Sequence, residues 1–346
     1  MAILGACASP PASPTTLSRP ADAPSPAPSV ASPADVVVAS EPWTFEDKEG
    51  LLLRTHSYRV YSTATKYSLS ERLPVFLERC LVHYTSTLAD LPRPREPMET
   101  YLLGNRPQWT RVTQRFMGAD ADIYLKIQRG GFAANGRAIL YDIGPRDTFA
   151  IAAHEGWHQY TQRAFRAPLT VCFEEGLATF MEGFRWTDAD RTRPAFLPWA
   201  NVERFEQLRT AAARGKLLPL ATLQQTTPQE IIADDPDAAL VYYAQVWALM
   251  HFLNEGDGGV HRASLQQLLR DAASGELARR IRRDAGQRAA SAYATRRTGV
   301  DLLAIYFGAS AADLNTPYRA FIDQVVRVGA REKIVAGQSP LPEGGG

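Results

Sequence analysis

His154-Glu155-Gly156-Trp157-His158, with Phe173-Glu174-Glu175-Gly176-Leu177-Ala178 close behind it, decides how this chain is read. On an α-helix, residues at i and i+4 lie one turn apart on the same face, so His154 and His158 can close on a single metal ion. Glu155 projects beside them, where a carboxylate can take a proton from metal-bound water. A helix over about 147–164 is expected to carry the segment, with Phe149, Ala153 and Trp157 toward its buried side. A lone histidine in such a place is more often structural; a pair with a glutamate between them favours a site. Zinc would still need a third protein ligand and an open position for water.

Working outward, the chain has 346 residues, 45% of them hydrophobic, enough for one large core or two modest ones. A net charge of +1 gives no reason to expect nucleic acid as a partner. Leu51–Leu53 leads into an expected strand at His56–Ser62, and further strands are expected at Met98–Leu103, Ile123–Ile127 and Ala138–Tyr141, with Asn135-Gly136 as a turn signal. Ser70 can cap a helix running through Leu73, Phe76, Leu77, Cys80, Leu81 and Tyr84, and Trp109–Met117 suits a short helix. After Gly144-Pro145 the pattern turns helical and stays so to about Val328. Mixed strands first and helices afterwards predict an α+β domain. Its expected bounds are 43–330, with active-site helices at about 147–185 and a helical part at about 200–328. Residues 331–346 read as a flexible tail.

The second active-site segment, Glu175-Gly-Leu-Ala178-Thr-Phe180-Met-Glu182, resembles the E-G-x-A-x-Y-x-E pattern of the gluzincin metallopeptidases, with Phe180 in place of Tyr. The resemblance extends more loosely over Trp43 to Val328 and is similar to exported bacterial proteins with a zincin-like domain. It implies a zincin-like metallopeptidase fold, one Zn2+ held by His154, His158 and Glu175, and Glu155 as general base for attack on a peptide or protein substrate. It also favours Glu175 over Glu174, which sits about 100° around the helix and is expected to have no bearing on the metal. At Val241-Tyr242-Tyr243-Ala-Gln245-Val-Trp247 the resemblance implies a tyrosine that donates to the tetrahedral oxyanion. Tyr243 fits best and Tyr242 is the alternate. His251, on the same predicted helix, can either line the cleft or serve a structural role. The Gly-x-Met-Glu-Asn signature of the large aminopeptidases is absent, so an exopeptidase of that kind is not implied. The rival reading from another class is a zinc-binding, non-catalytic module for binding or assembly in the cell envelope.

Residues 1–42 are a different material. From Ser9 to Ser40 Pro, Ala and Ser dominate, as in an extended linker that cannot bury enough apolar surface to order itself. Leu4-Gly5-Ala6-Cys7 before it resembles the lipobox of bacterial lipoproteins, which implies lipidation at Cys7 and a bacterial cell-envelope location, membrane-anchored or periplasmic. Only Met1-Ala2-Ile3 precede it, so either translation starts further upstream or the likeness is accidental and the protein cytoplasmic. Cys80 and Cys172 could pair in an exported protein, or remain two buried thiols. The Arg279-Arg280-Ile-Arg282-Arg283 run, with Asp271, Glu276 and Asp284 interspersed, reads as a solvated helix face, the alternative being contact with anionic envelope lipid or polymer.

Overall fold

Alternating apolar residues between Ala39 and Tyr141 assemble a six-stranded sheet. Its strands are β1 (Ala39–Phe45), β2 (Lys48–Arg54), β3 (Tyr58–Ser62), β4 (Met98–Leu103), β5 (Gly131–Ala134) and β6 (Arg137–Tyr141). The computed structural model describes residues 36–64, 67–127, 130–228, 230–231 and 236–342, so Cys7 and most of the Pro-rich stretch lie outside the described residues. Sheet order is β1-β2-β3-β4-β6-β5, parallel at β3–β4 and β4–β6 and antiparallel elsewhere, which leaves β5 as an edge strand.

Strand alternation divides the sheet into two faces. Val60, Met98, Leu102 and Leu140 point toward the main core, where α1 (Arg72–Ser86) and α3 (Pro145–Ala164) pack. Tyr101, Leu103, Ile139 and Tyr141 point the other way, onto Trp109 and Val112 of α2 (Arg106–Met117). The Trp109 indole N–H donates to the carbonyl of Ile139 at 3.0 Å, so its buried polar atom is satisfied. Helix α3, which carries the two histidines, is pinned to the sheet by amides. Gln159 Nε2 donates to the carbonyls of Glu99 (2.6 Å) and Gly136 (3.2 Å), and Gln162 Nε2 donates to Ala133 (3.1 Å) on the edge strand.

The remainder is mostly helical: α4 (Val171–Met181), α5 (Val202–Ala213), α6 (Pro236–Glu255), α7 (Arg262–Ser274), α8 (Leu277–Arg296) and α9 (Asn315–Val325). Between Tyr242 and Leu253, α6 is apolar nearly all round, with Ala244, Val246, Trp247, Leu249, Met250 and Phe252 buried, so it forms the axis of this half. Helix α4 lies against it at Gly176, where a Cβ would stand 2.9 Å from the carbonyl oxygen of Val246 and 3.1 Å from Met250. Gly156 allows α3 the same close approach to Tyr84, whose hydroxyl donates to the carbonyl of Ala153 at 2.6 Å.

The α+β class and the order of its parts are as expected, and six local readings differ. Ser70 does not cap α1: it ends a short helix, Tyr67–Ser70, and Glu71 holds the cap position without a side-chain bond. Ile123–Ile127 is not a strand: Ala121–Leu125 is a short helix, with Ile123 62% exposed and Tyr124 packed on Phe132 at 4.3 Å. The hairpin partner of β6 is β5, and Asn135 and Gly136 turn between them with φ of 52° and 71°. The sheet begins at Ala39, inside the stretch read as linker. A small hairpin, Phe184–Trp186 with Pro194–Phe196, interrupts the helical part. The tail holds a further helix, Ala330–Ala336, because Ala330 and Ile334 stand one turn apart and are both buried. Cys80 and Cys172 are buried free thiols, each pushed up by desolvation. On α8, Arg279, Arg282 and Arg283 are exposed, as a solvated face requires. Among the described residues no helix is long and apolar enough to cross a membrane.

Gly176→Ala is expected to force α4 off α6 and destabilise the protein by about 1–3 kcal/mol, the usual cost of overpacking a tight contact. Urea unfolding of the two proteins checks this, and an unchanged midpoint would show that the helices can separate freely.

Candidate metal centre

Helix α3 starts at Pro145, a residue whose fixed φ suits the first helical position, and runs unbroken through His158. Helix α4 follows after a short connection and brings Glu175 opposite the two histidines. The Nε2 atoms of His154 and His158 are 3.3 Å apart, and each lies 3.4 Å from Oε2 of Glu175. The edge of a tetrahedron with ligand bonds of about 2.05 Å is about 3.35 Å, so the three atoms stand where three corners of a tetrahedral zinc-type site belong. Among the described residues they form a cluster able to hold a metal ion.

What surrounds the triangle fixes its chemistry. His154 Nδ1 donates to Glu182 Oε2 at 2.9 Å, and His158 Nδ1 donates to Glu174 Oε1 at 2.9 Å. Carboxylates accept only, so both protons are committed to Nδ1 and both Nε2 atoms face inward. Glu174 is held in turn by the Thr161 hydroxyl at 2.7 Å and faces Arg297 at 3.6 Å. Glu182 Oε1 accepts from Asn201 Nδ2 at 2.7 Å and Arg204 Nε at 2.9 Å. Glu175 Oε2, in contrast, is buried with no hydrogen-bond partner in its own right. Three lone-pair-bearing atoms meeting at this distance need a cation or protons between them, and the donor set suits a divalent ion of the zinc type.

The ionisation of the metal-free cluster follows from the same crowding. Burial would drive the His154 imidazolium down, but Glu175 and Glu182 overcome it and raise the group to about 9. Burial likewise opposes a charged His158, and Glu175 with Glu174 holds it well above the ordinary imidazole range. Glu175 would be raised by burial, yet the two histidines hold it far below the usual carboxylate range. Glu182 would also rise, but Arg204 and His154 bring it to about 2. Glu155 differs: burial raises it, and the histidines only partly offset this.

Glu155 follows His154 on α3 and lies within hydrogen-bonding reach of the Ala133 backbone on β5. With the triangle it lines an open cleft of about 1940 Å³, bordered by β5, the N-terminal half of α3, the Phe184–Trp186 hairpin and the start of α5. Tyr243 enters the cleft with its ring 6.2 Å from that of His154, and among the described residues its hydroxyl has no hydrogen-bond partner. Tyr242 is fully buried and lies outside the cleft lining. His251 is also fully buried, stacked on Trp199 at 3.5 Å and bonded to Glu255 at 3.1 Å, so it has the structural role and does not line the cleft.

Two parts of this arrangement differ from the sequence reading. Glu174, read as turned away from the site, hydrogen-bonds His158 Nδ1 at 2.9 Å. Glu182, Asn201 and Arg204 carried no assigned role, although Glu182 stands two turns beyond Glu175 on the same helix face and could have signalled its support. Asn201 and Arg204 have no local signal at all; they arrive by tertiary folding. No family model matches the chain, and none of the curated proteins matches it.

Binding of Zn2+ at pH 7 is expected to displace protons from both His154 and His158, since each is charged in the metal-free cluster. Calorimetry in buffers of different ionisation enthalpy counts them: a value approaching two agrees, and none released would mean that both histidines are neutral before the metal arrives. Affinity should accordingly rise with pH above neutrality, since His154 loses its proton unaided only near 9 and His158 is also held well above the ordinary imidazole range. Glu174→Gln should weaken metal binding, within the roughly 10–100-fold typical of a lost supporting carboxylate. An unchanged dissociation constant in chelator competition would return Glu174 to a bystander.

Proposed function

We propose that this chain is a zinc-dependent hydrolase on a zincin-like fold, acting as a peptidase, with His154, His158 and Glu175 as ligands and Glu155 as general base. The observation that carries the reading is the triangle of two Nε2 atoms and one carboxylate oxygen at 3.3–3.4 Å, with the unassigned carboxylate of Glu155 next to it on the same helix. A divalent ion held there would supply Lewis acidity, bringing a coordinated water to a pKa of about 7 and polarising a carbonyl. Glu155 accepts the proton of the attacking water on its carboxylate, holds it in a site where burial favours the neutral acid, and delivers it to the leaving nitrogen. Tyr243 offers its phenolic hydrogen to the oxygen on which charge develops, a contact realised in the transition state.

Two features support a peptide over a small metabolite. The cleft, at about 1940 Å³, exceeds the roughly 300–1,000 Å³ of ordinary small-molecule sites. It also runs along an edge strand, beside which an extended chain can lie. An envelope location through Cys7 belongs to the same proposal and rests on the lipobox-like Leu4-Gly5-Ala6-Cys7 alone.

Glu155→Gln is nearly isosteric, keeps a good helix former and leaves the three ligands intact. Zinc content should persist while hydrolysis of an unstructured peptide library falls by the roughly 10²–10⁴-fold a positioned general base contributes. Tyr243→Phe should cost less and mainly in kcat. Mass spectrometry of the digests, with a chelated control, decides it. Zinc-loaded wild type that cleaves nothing beyond that control would favour the non-catalytic envelope module. Full activity in Glu155→Gln would sink the proposed base.

A further inference from the structure

The Arg204 side chain touches both the carboxylate that supports a proposed metal ligand and the ring of Tyr243. It stands in the first turn of α5, where Asn201 caps the helix by accepting from the Arg204 backbone N–H at 3.2 Å. Its Nε donates to Glu182 Oε1 at 2.9 Å, and the opposite oxygen of that carboxylate holds His154 Nδ1 at 2.9 Å. Its guanidinium carbon sits 5.3 Å from the centre of the Tyr243 ring, within range for a cation on an aromatic face. A third contact, from NH1 to Gln207 Oε1 at 3.2 Å, steadies the fork from the next turn of α5. The side chain is only 15% exposed, so water screens these interactions little.

We propose that Arg204 is a positioning residue that locks His154 and Tyr243 into one arrangement, so that metal affinity and transition-state stabilisation depend on the same guanidinium. The inference rests on the hydrolase reading above and adds to it a coupling between two of its parts. The physical reason is geometric. Glu182 can fix the His154 ring only while its own orientation is fixed, and two donors on one oxygen, Asn201 Nδ2 and Arg204 Nε, do this. The guanidinium also lies over the Tyr243 ring, 5.3 Å from its centre, and so helps to set the ring that carries the hydroxyl. A displaced arginine would loosen both at once. A residue that merely filled space would loosen neither in particular.

The test compares wild type with Arg204→Lys, Arg204→Met, Tyr243→Phe and the double variant Arg204→Met/Tyr243→Phe. Three quantities are read: the Zn2+ dissociation constant by chelator competition, the visible spectrum of the Co2+-loaded protein, and kcat and KM on a peptide cleaved by wild type. Arg204→Met should weaken Zn2+ binding about tenfold or more, by analogy with the loss of other supporting groups, and should shift the Co2+ bands as the His154 ring turns. Its loss in turnover should fall on kcat rather than KM. Arg204→Lys, which keeps the charge without the fork, should recover part of the metal affinity and little of kcat. The double variant should lose no more kcat than the worse single one, because each substitution breaks the same arrangement. Zn2+ affinity and Co2+ bands in Arg204→Met equal to wild type, or kcat losses that multiply in the double variant, would overturn the proposal. Should Arg204→Met fail to fold, the lysine variant carries the metal arm, and wild-type affinity there would equally overturn it. Wild type that binds neither ion would remove the hydrolase reading and this inference together. Wild type that binds metal but cleaves nothing would remove only the hydrolase reading, the metal arm still deciding whether Arg204 positions His154.

Discussion

Two imidazole nitrogens and a carboxylate oxygen held 3.3–3.4 Å apart are groups that repel one another unless something positive lies between them. The rest of the C-terminal half is arranged around that convergence. Helices α3 and α4 are each seated by a close contact with a third helix that a larger residue would not allow. Gly156 lets Tyr84 of α1 reach the Ala153 carbonyl, and Gly176 lets α4 rest on the backbone of α6. The apolar α6, with no charged residue between Tyr242 and Leu253, then serves as the floor on which α4 and its glutamates rest.

Burying so many ionisable groups is costly, and unpaired charges inside a protein destabilise it strongly. The arrangement offsets that cost unevenly. Glu174 has His158, Thr161 and Arg297; Glu182 has His154, Asn201 and Arg204. Each of these carboxylates is satisfied by the outward Nδ1 of a histidine and by groups outside the triangle. Glu175 alone depends on the two histidines it faces, and its Oε2 remains without a hydrogen bond. Of these three carboxylates, the one with an unmet demand is thus Glu175, whose Oε2 is equidistant from the two Nε2 atoms. A cation there satisfies that demand and releases the histidine protons that otherwise substitute for it.

How much of this was legible in the sequence depends on distance along the chain. The pairing of His154 with His158 follows from helical repeat alone, and α3 forms as the apolar spacing of Phe149, Ala153 and Trp157 requires. The mixed sheet followed by helices was also legible, because strand and helix periods differ. Ile123–Ile127 misled because apolar residues at alternate positions can also sit on a short helix, and only the packing of Tyr124 on Phe132 decides between them. The Ala330–Ala336 helix was missed because seven residues carry too little periodicity to read. The groups that steady the metal position were the least legible. Asn201 and Arg204 reach Glu182 across separations of 19 and 22 residues, and Arg297 reaches Glu174 from the far end of α8. No local propensity encodes such contacts.

Four glutamates, 155, 174, 175 and 182, share this site, and nothing in residue type distinguishes them. Their surroundings do. Glu175 and Glu182 are held below the ordinary range by the positive partners they face, so they remain carboxylates, suited to the proposed roles of ligand and support. Glu155 faces the same histidines from a position where burial outweighs them, and its carboxyl is raised. A carboxylate that stays ionised can bind a cation but returns no proton, whereas one lifted toward neutrality can take a proton and give it up again. The division of labour in the proposed reaction therefore follows from placement: ligand and support where positive charge converges, and the proton carrier one residue along the helix, where it does not.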